Sequence, residues 1–197
     1  MVVWENGLEA QIEASLEEAS IAFYDTQFIA NRAWYESGKT YQFLLAGIAY
    51  TCREAKNEPL VIDPPPRWGK ELREEKKIEA WSTQKPDEPL VFHFDGMASL
   101  VPLPEGDIDD YSFHSPIKAC KEIYILNQPA WLLRTTILRS LEFDADIDLD
   151  IVVTGKIWQS NRPPQVGEDI EGTLWLQGFL WHPGKPDESM NDHDSHK

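Results

Sequence analysis

The clearest alternation of apolar and polar blocks in this chain covers residues 146–181, where two apolar runs flank a polar connector. The runs, DIDLDIVVTGKIWQ and IEGTLWLQGFLW, are rich in β-branched and aromatic residues. Between them lie Asn161, Pro163, Pro164 and Gly167, residues that make turns and stop a ladder from continuing. This pattern predicts a ribbon of two strands joined by a turn.

Near the other end, Leu8, Ala10, Ile12, Ala14 and Leu16 alternate with Glu9, Gln11, Glu13 and Ser15. A period of two predicts a strand over 7–16 with those five apolar side chains facing inward. Leu8, Ile12 and Leu16 also fall at helical spacing among good helix formers. The unbroken alternation, and the strand signals that follow it, decide for the strand. Residues 20–24 (SIAFY) and 40–52 (TYQFLLAGIAYTC) read as further strands around a polar turn at 36–39, where Gly38 supplies a positive φ. Residues 26–35 yield no assignment.

Strand character returns at 89–103, with Asp95-Gly96 as a hairpin turn, and a loop through Asp107, Asp109 and Asp110 follows. Residues 117–126 and 131–138 form two more strands around Asn127-Gln128-Pro129. Between the β blocks, Pro64, Pro65 and Pro66 stop any sheet and open a short charged helix over 67–81. Its Arg67, Lys70, Arg73, Lys76 and Lys77 are interleaved with glutamates, the pattern of a solvated helix with i,i+4 ion pairs. Glycine-led strand starts at Gly38 and Gly167 look alike, as any turn followed by a strand does, and do not establish a repeat.

The sum is a mainly β fold, an antiparallel sheet or a small partly closed barrel with one short helical insertion. In architecture it resembles the oligonucleotide/oligosaccharide-binding (OB) barrel, with strands in turn-separated blocks and a long mid-chain insertion. The expected layout is one β-rich domain over 1–182, with a Pro- and charge-rich insertion at 53–89 and a disordered acidic tail at 183–197. A chain of 197 residues with 42% hydrophobic content can bury a real core.

Charge changes the functional picture. Thirty-four acidic against eighteen basic side chains leave −16, and the last fifteen residues, with four acids and two lysines, hold only −2 of it. A body this negative repels nucleic acid and anionic membranes and attracts basic partners, more weakly as salt rises. No secretory signal and no membrane-spanning apolar run is read, so a cytoplasmic protein is expected. Cys52 and Cys120 are too few for a disulfide framework and read as two thiols.

Asp144, Asp146, Asp148 and Asp150 alternate with Ala145, Ile147, Leu149 and Ile151, so a strand would carry all four carboxylates on one face. That face suits solvent or a basic partner. A calcium site would need a folded loop with main-chain ligands, so no metal and no cofactor are expected. Trp158 and Trp175 are the candidate aromatic contacts, and Gly172 and Gly178 mark bulges or close approaches. His93, with carboxylates and with His114 as an addition, is the one sketch of a base, but no nucleophile is placed beside it. The leading expectation is a non-catalytic acidic protein that docks a basic partner, as an inhibitor or immunity-type protein does. The alternatives are an OB-like module binding single-stranded nucleic acid or sugar on exposed Trp, and a hydrolase using His93 and carboxylates.

Overall fold

The computed structural model describes residues 1–16, 19–63, 89–139 and 146–181. The helix expected over 67–81, the tail from 183 onward and Asp144 lie outside them. The strands are β1 (Val2–Glu5), β2 (Ala10–Leu16), β3 (Ala19–Asp25), β4 (Phe43–Glu54), β5 (Leu60–Ile62), β6 (Leu90–Phe92), β7 (Ser99–Pro102), β8 (Asp110–Ile125), β9 (Gln128–Arg139), β10 (Asp146–Thr154) and β11 (Asp169–Leu180). A single helical turn, α1 (Phe28–Asn31), runs into a 3-10 turn at Arg32–Trp34, in the segment the sequence left unassigned.

Five strands close into a barrel. β8, β9 and β10 form an antiparallel meander, β10 lies parallel to β4, β4 is antiparallel to β11, and β11 closes on the first half of β8. Closure removes the open edges that a five-stranded sheet would otherwise expose. Beyond the barrel, β3 joins the end of β11 in parallel, and β2 and β1 extend the sheet outward. β5 and β6 pair separately, at the two ends of the insertion.

β11 organises the barrel because its alternation is complete. Ile170, Leu174, Leu176 and Leu180 are buried, while Glu171, Thr173, Trp175 and Gln177 take the other face. β10 matches it with Leu149, Ile151 and Val153 inward, β9 adds Leu133 and Ile137, and β3 adds Phe23. At Gly178 an added Cβ would stand 2.6 Å from the Phe23 ring, and at Gly172 it would stand 2.0 Å from the carbonyl oxygen of Thr51. Both glycines are therefore sites of close approach.

Several details differ from the sequence reading. Asp95-Gly96 turns the chain but closes no hairpin, because β6 pairs with β5 and β7 with β8, and β8 already begins at Asp110. The 146–181 segment is not a ribbon: β10 and β11 do not pair, and β4 lies between them. Only a short turn forces consecutive strands together. Here the connector is long, β10 stops at Thr154, and buried Trp158 packs the connector against the barrel, bridged to Cys52. At the N-terminus, Asn6 Oδ1 accepts the N–H groups of Leu8 and Glu9, so the strand begins only at Ala10. Ala10 and Ile12 are buried as expected, but Leu8 is 63% exposed. Finally, the turn between β8 and β9 is Leu126-Asn127, both at positive φ, and Gln128 already belongs to β9.

Candidate functional site

The acidic ladder of β10 lies as its period dictates, with Asp146, Asp148 and Asp150 outward and Leu149 and Ile151 buried. Its charges are answered from neighbouring strands. Lys118 falls at a register shift between β8 and β9, where Ile117 and Ala119 pair but Lys118 does not. Its ammonium reaches Asp146 Oδ2 and Asp148 Oδ1, both at 2.8 Å. Arg134 of β9 donates from Nε and Nη2 to the two oxygens of Asp150, at 2.9 and 3.0 Å. Hydrogen bonding to Lys118 holds the Asp146 carboxyl below the usual carboxylate range. Like-charge repulsion along the ladder is thus relieved by the chain's own cations.

The two candidate tryptophans part company. Trp158 is buried, tilts against Trp131 at 6.2 Å and donates its indole N–H to the carbonyl of Arg162, so it is a packing residue and not a stacking platform. Trp175, on the outward face of β11, lines a cleft of about 640 Å³ with Trp4, Gln11, Tyr24, Tyr50, Asp107, Asp109 and Asp110.

The chain matches no protein-family model, and no curated protein or solved structure is significantly similar to it. The cleft itself therefore carries the functional argument.

Its floor is a fixed network. Asp109 is 2% exposed, and its carboxylate accepts the Gln11 side-chain N–H at Oδ1 and the Trp175 indole N–H at Oδ2, each at 2.8 Å. The Asp109 carbonyl also accepts the N–H of Leu176, tying the 107–110 loop to β11. Tyr24 packs on Trp175 with ring centroids 5.0 Å apart, and its hydroxyl donates to Glu9.

Tyr50 reaches the cleft through a bulge. Thr51 pairs with Thr173 and Ala49 with Leu174, so Tyr50 has no partner on β11 and is turned outward. Its hydroxyl donates to Asp110 Oδ1 at 2.9 Å, and Asp110 Oδ2 accepts the N–H of Asp107. Partial burial, then this bond to Asp110, pushes the Tyr50 phenol up to about 12. Trp4 completes the rim, about half exposed. Among the described lining residues there are three carboxylates and four aromatic rings, and no cationic side chain.

Of the residues singled out from sequence, only Trp175 belongs to this cleft. The acidic loop was visible as a loop, but Trp4, Gln11, Tyr24 and Tyr50 were missed as site residues. Period two correctly places Gln11 on the polar face of β2, but the bulge that aims Tyr50 comes from the pairing of two strands far apart in sequence.

A second cleft, of about 450 Å³, lies over β8, β11 and β4. Here Ser99, His114, Glu171 and Arg53 are successive cross-strand partners. Arg53 pairs with Glu171 at 2.6 Å, so the cation in this cleft is already neutralised. His114 Nδ1 is 3.9 Å from Glu171, and its Nε2 has no hydrogen-bond partner among the described residues. Among the described residues no hydroxyl is hydrogen-bonded to that imidazole, as a nucleophile and its base require. His93 is exposed just beyond β6. Among the described residues no group of three His, Cys, Asp or Glu side chains converges as metal ligands, and no helix is long and apolar enough to cross a membrane.

Proposed function

We propose that the protein is a non-catalytic interaction protein that docks a basic partner, and that the contact centres on the cleft of Trp4, Tyr24, Tyr50, Trp175 and the 107–110 loop. One observation carries this reading: carboxylates and aromatic faces converge there with no cation among the described lining residues. A lysine or arginine head entering the cleft gains both an ion pair and a ring face, and cation–π contact strengthens as water is excluded. The net charge of −16 steers such a partner inward from a distance. The β10 ladder is a poorer centre, because Lys118 and Arg134 already occupy the described carboxylates.

Nucleic acid fits this cleft badly, since its phosphates would face Asp107, Asp109 and Asp110. The cytoplasmic setting expected from the sequence accords with Cys52 and Cys120 as free thiols. The test is an NMR titration with a lysine oligomer at low salt. Shifts centred on the Trp4 and Trp175 indole N–H signals support the reading, whereas shifts confined to 146–150 contradict it.

A further inference from the structure

We infer that the basic partner binds in an extended conformation, as a strand added to the outer edge of β1, with a lysine or arginine side chain turned into the aromatic and acidic cleft. The inference rests on the docking function proposed for that cleft, and adds how the partner is held and what shape it must have.

β1 ends the nine-stranded sheet, with β2 on one side and, among the described residues, no strand on the other. An open edge is normally blunted by charged side chains, lysine above all, by proline, by a bulge or by being very short. The opposite edge strand, β7, follows that rule and ends in Pro102. β1 carries neither lysine nor proline: its sequence is VVWE, and although it is short, ends in Glu5 and is irregular at Val3, its Val2, Val3 and Trp4 are each more than a third exposed. This edge is left able to pair.

The register explains why a strand added there would serve the cleft. Trp4 stands opposite Gln11, and Gln11 opposite Tyr24, so one cross-strand row leads from β1 into the cleft floor. The irregularity at Val3 lets Val2 stand opposite buried Ile12 while Trp4 stands opposite Gln11, so β1 offers an apolar contact on one side and a cleft contact on the other. An added strand lies roughly 4.8 Å beyond β1 and presents alternate residues to alternate faces. Its residue beside Trp4 sits at the cleft mouth, on the side open to Asp107 and Asp110, and its neighbours lie along Val2 and Val3. The fitting partner is therefore an extended segment that alternates basic and apolar residues. Main-chain bonds to β1 supply affinity, and the cleft selects the cation. A second copy of this chain is a poor occupant, because its own β1 carries no cation and both copies carry −16.

The test uses the whole protein and a synthetic peptide of about eight residues alternating lysine and valine. It is compared with the same peptide bearing a fully N-methylated backbone, which keeps the charge but cannot join a sheet. Spermine serves as a cation without a backbone. Binding is read by Trp fluorescence and by amide hydrogen exchange. The inference expects the unmodified peptide to bind at least about tenfold more tightly than the methylated one, and to slow exchange of the β1 amides. Equal affinity of the two peptides, or unchanged β1 exchange on binding, overturns strand addition. If those equal affinities also fall on neutralising Asp107 and Asp110, the cleft reading survives alone. If neither peptide nor spermine binds, both readings fail. Protection of β1 that grows with protein concentration in the absence of peptide would assign the edge to a second copy and overturn the inference.

Discussion

The indole N–H of Trp175 donates to Asp109 Oδ2 at 2.8 Å, which joins the closing strand of the barrel to the acidic loop and fixes both walls of the cleft. Gln11 donates to the other oxygen of the same carboxylate, so three separate chain segments meet on one buried anion. The charge is held by bonds that would otherwise be two unsatisfied donors.

Asp109→Ala should therefore cost about 1.5–3 kcal/mol, the range for hydrogen bonds to a charged group. Asp109→Asn, which keeps one acceptor oxygen, should cost less. Urea unfolding of the two variants checks this, and an alanine variant as stable as the parent would mean that water replaces the carboxylate without loss.

Gly172→Ala should be among the most damaging small substitutions in the barrel. Its new Cβ would meet the Thr51 carbonyl at 2.0 Å, backbone against backbone, where no side-chain rotation relieves the overlap. We expect a loss of about 3 kcal/mol or more, the upper end of overpacking costs, measured by the same unfolding curves. Gly155→Ala, where the nearest atom is 3.2 Å away, should cost less.

Gly172 shows what the sequence makes legible. It stands out in an apolar strand run, so a close approach there is readable without coordinates, as are the inward faces of β10 and β11, which follow from period two alone. Strand neighbours are not readable in the same way. Inserting β4 between β10 and β11 depends on burying their remaining edges, a property of the closed ring and not of either run. The cleft was obscured for the same reason: Trp4, Gln11, Tyr24, Tyr50 and Trp175 sit on five different strands. The paired state of the Asp ladder depends likewise on Lys118 being set out of register on β8.

Cys52 should resist thiol reagents in the native state. Burial pushes its thiol up to about 12, which leaves almost no thiolate at pH 8. Because the folded value lies above the unfolded one, the stabilising effect is complete below about pH 9 and is lost as the pH rises towards 12. Labelling with a chromogenic disulfide at pH 8 should modify Cys52 only after denaturant is added. Rapid native labelling would contradict its burial.

Tyr50 should ionise late for the same kind of reason, with the Asp110 carboxylate adding to partial burial. Alkaline titration followed by ultraviolet absorbance should show its phenol near pH 12, and Tyr50→Phe should remove that component. Its contribution to stability is present below about pH 10 and lost as the pH passes through 12. Titration of this phenol near pH 10 would mean that the bulge does not hold it against Asp110.

The central claim is that a basic partner enters the cleft and does not dock on the β10 ladder. Calorimetric titration of a lysine octapeptide at low salt, against an Asp107→Asn/Asp110→Asn variant and an Asp146→Asn/Asp148→Asn/Asp150→Asn variant, tests it most directly. Neutralising the ladder removes more charge, so a purely nonspecific attraction would weaken more in that variant. The account predicts the opposite: about a tenfold loss of affinity in the cleft variant and less than about a twofold loss in the ladder variant. A larger loss in the ladder variant, or equal binding by all three proteins, would contradict it.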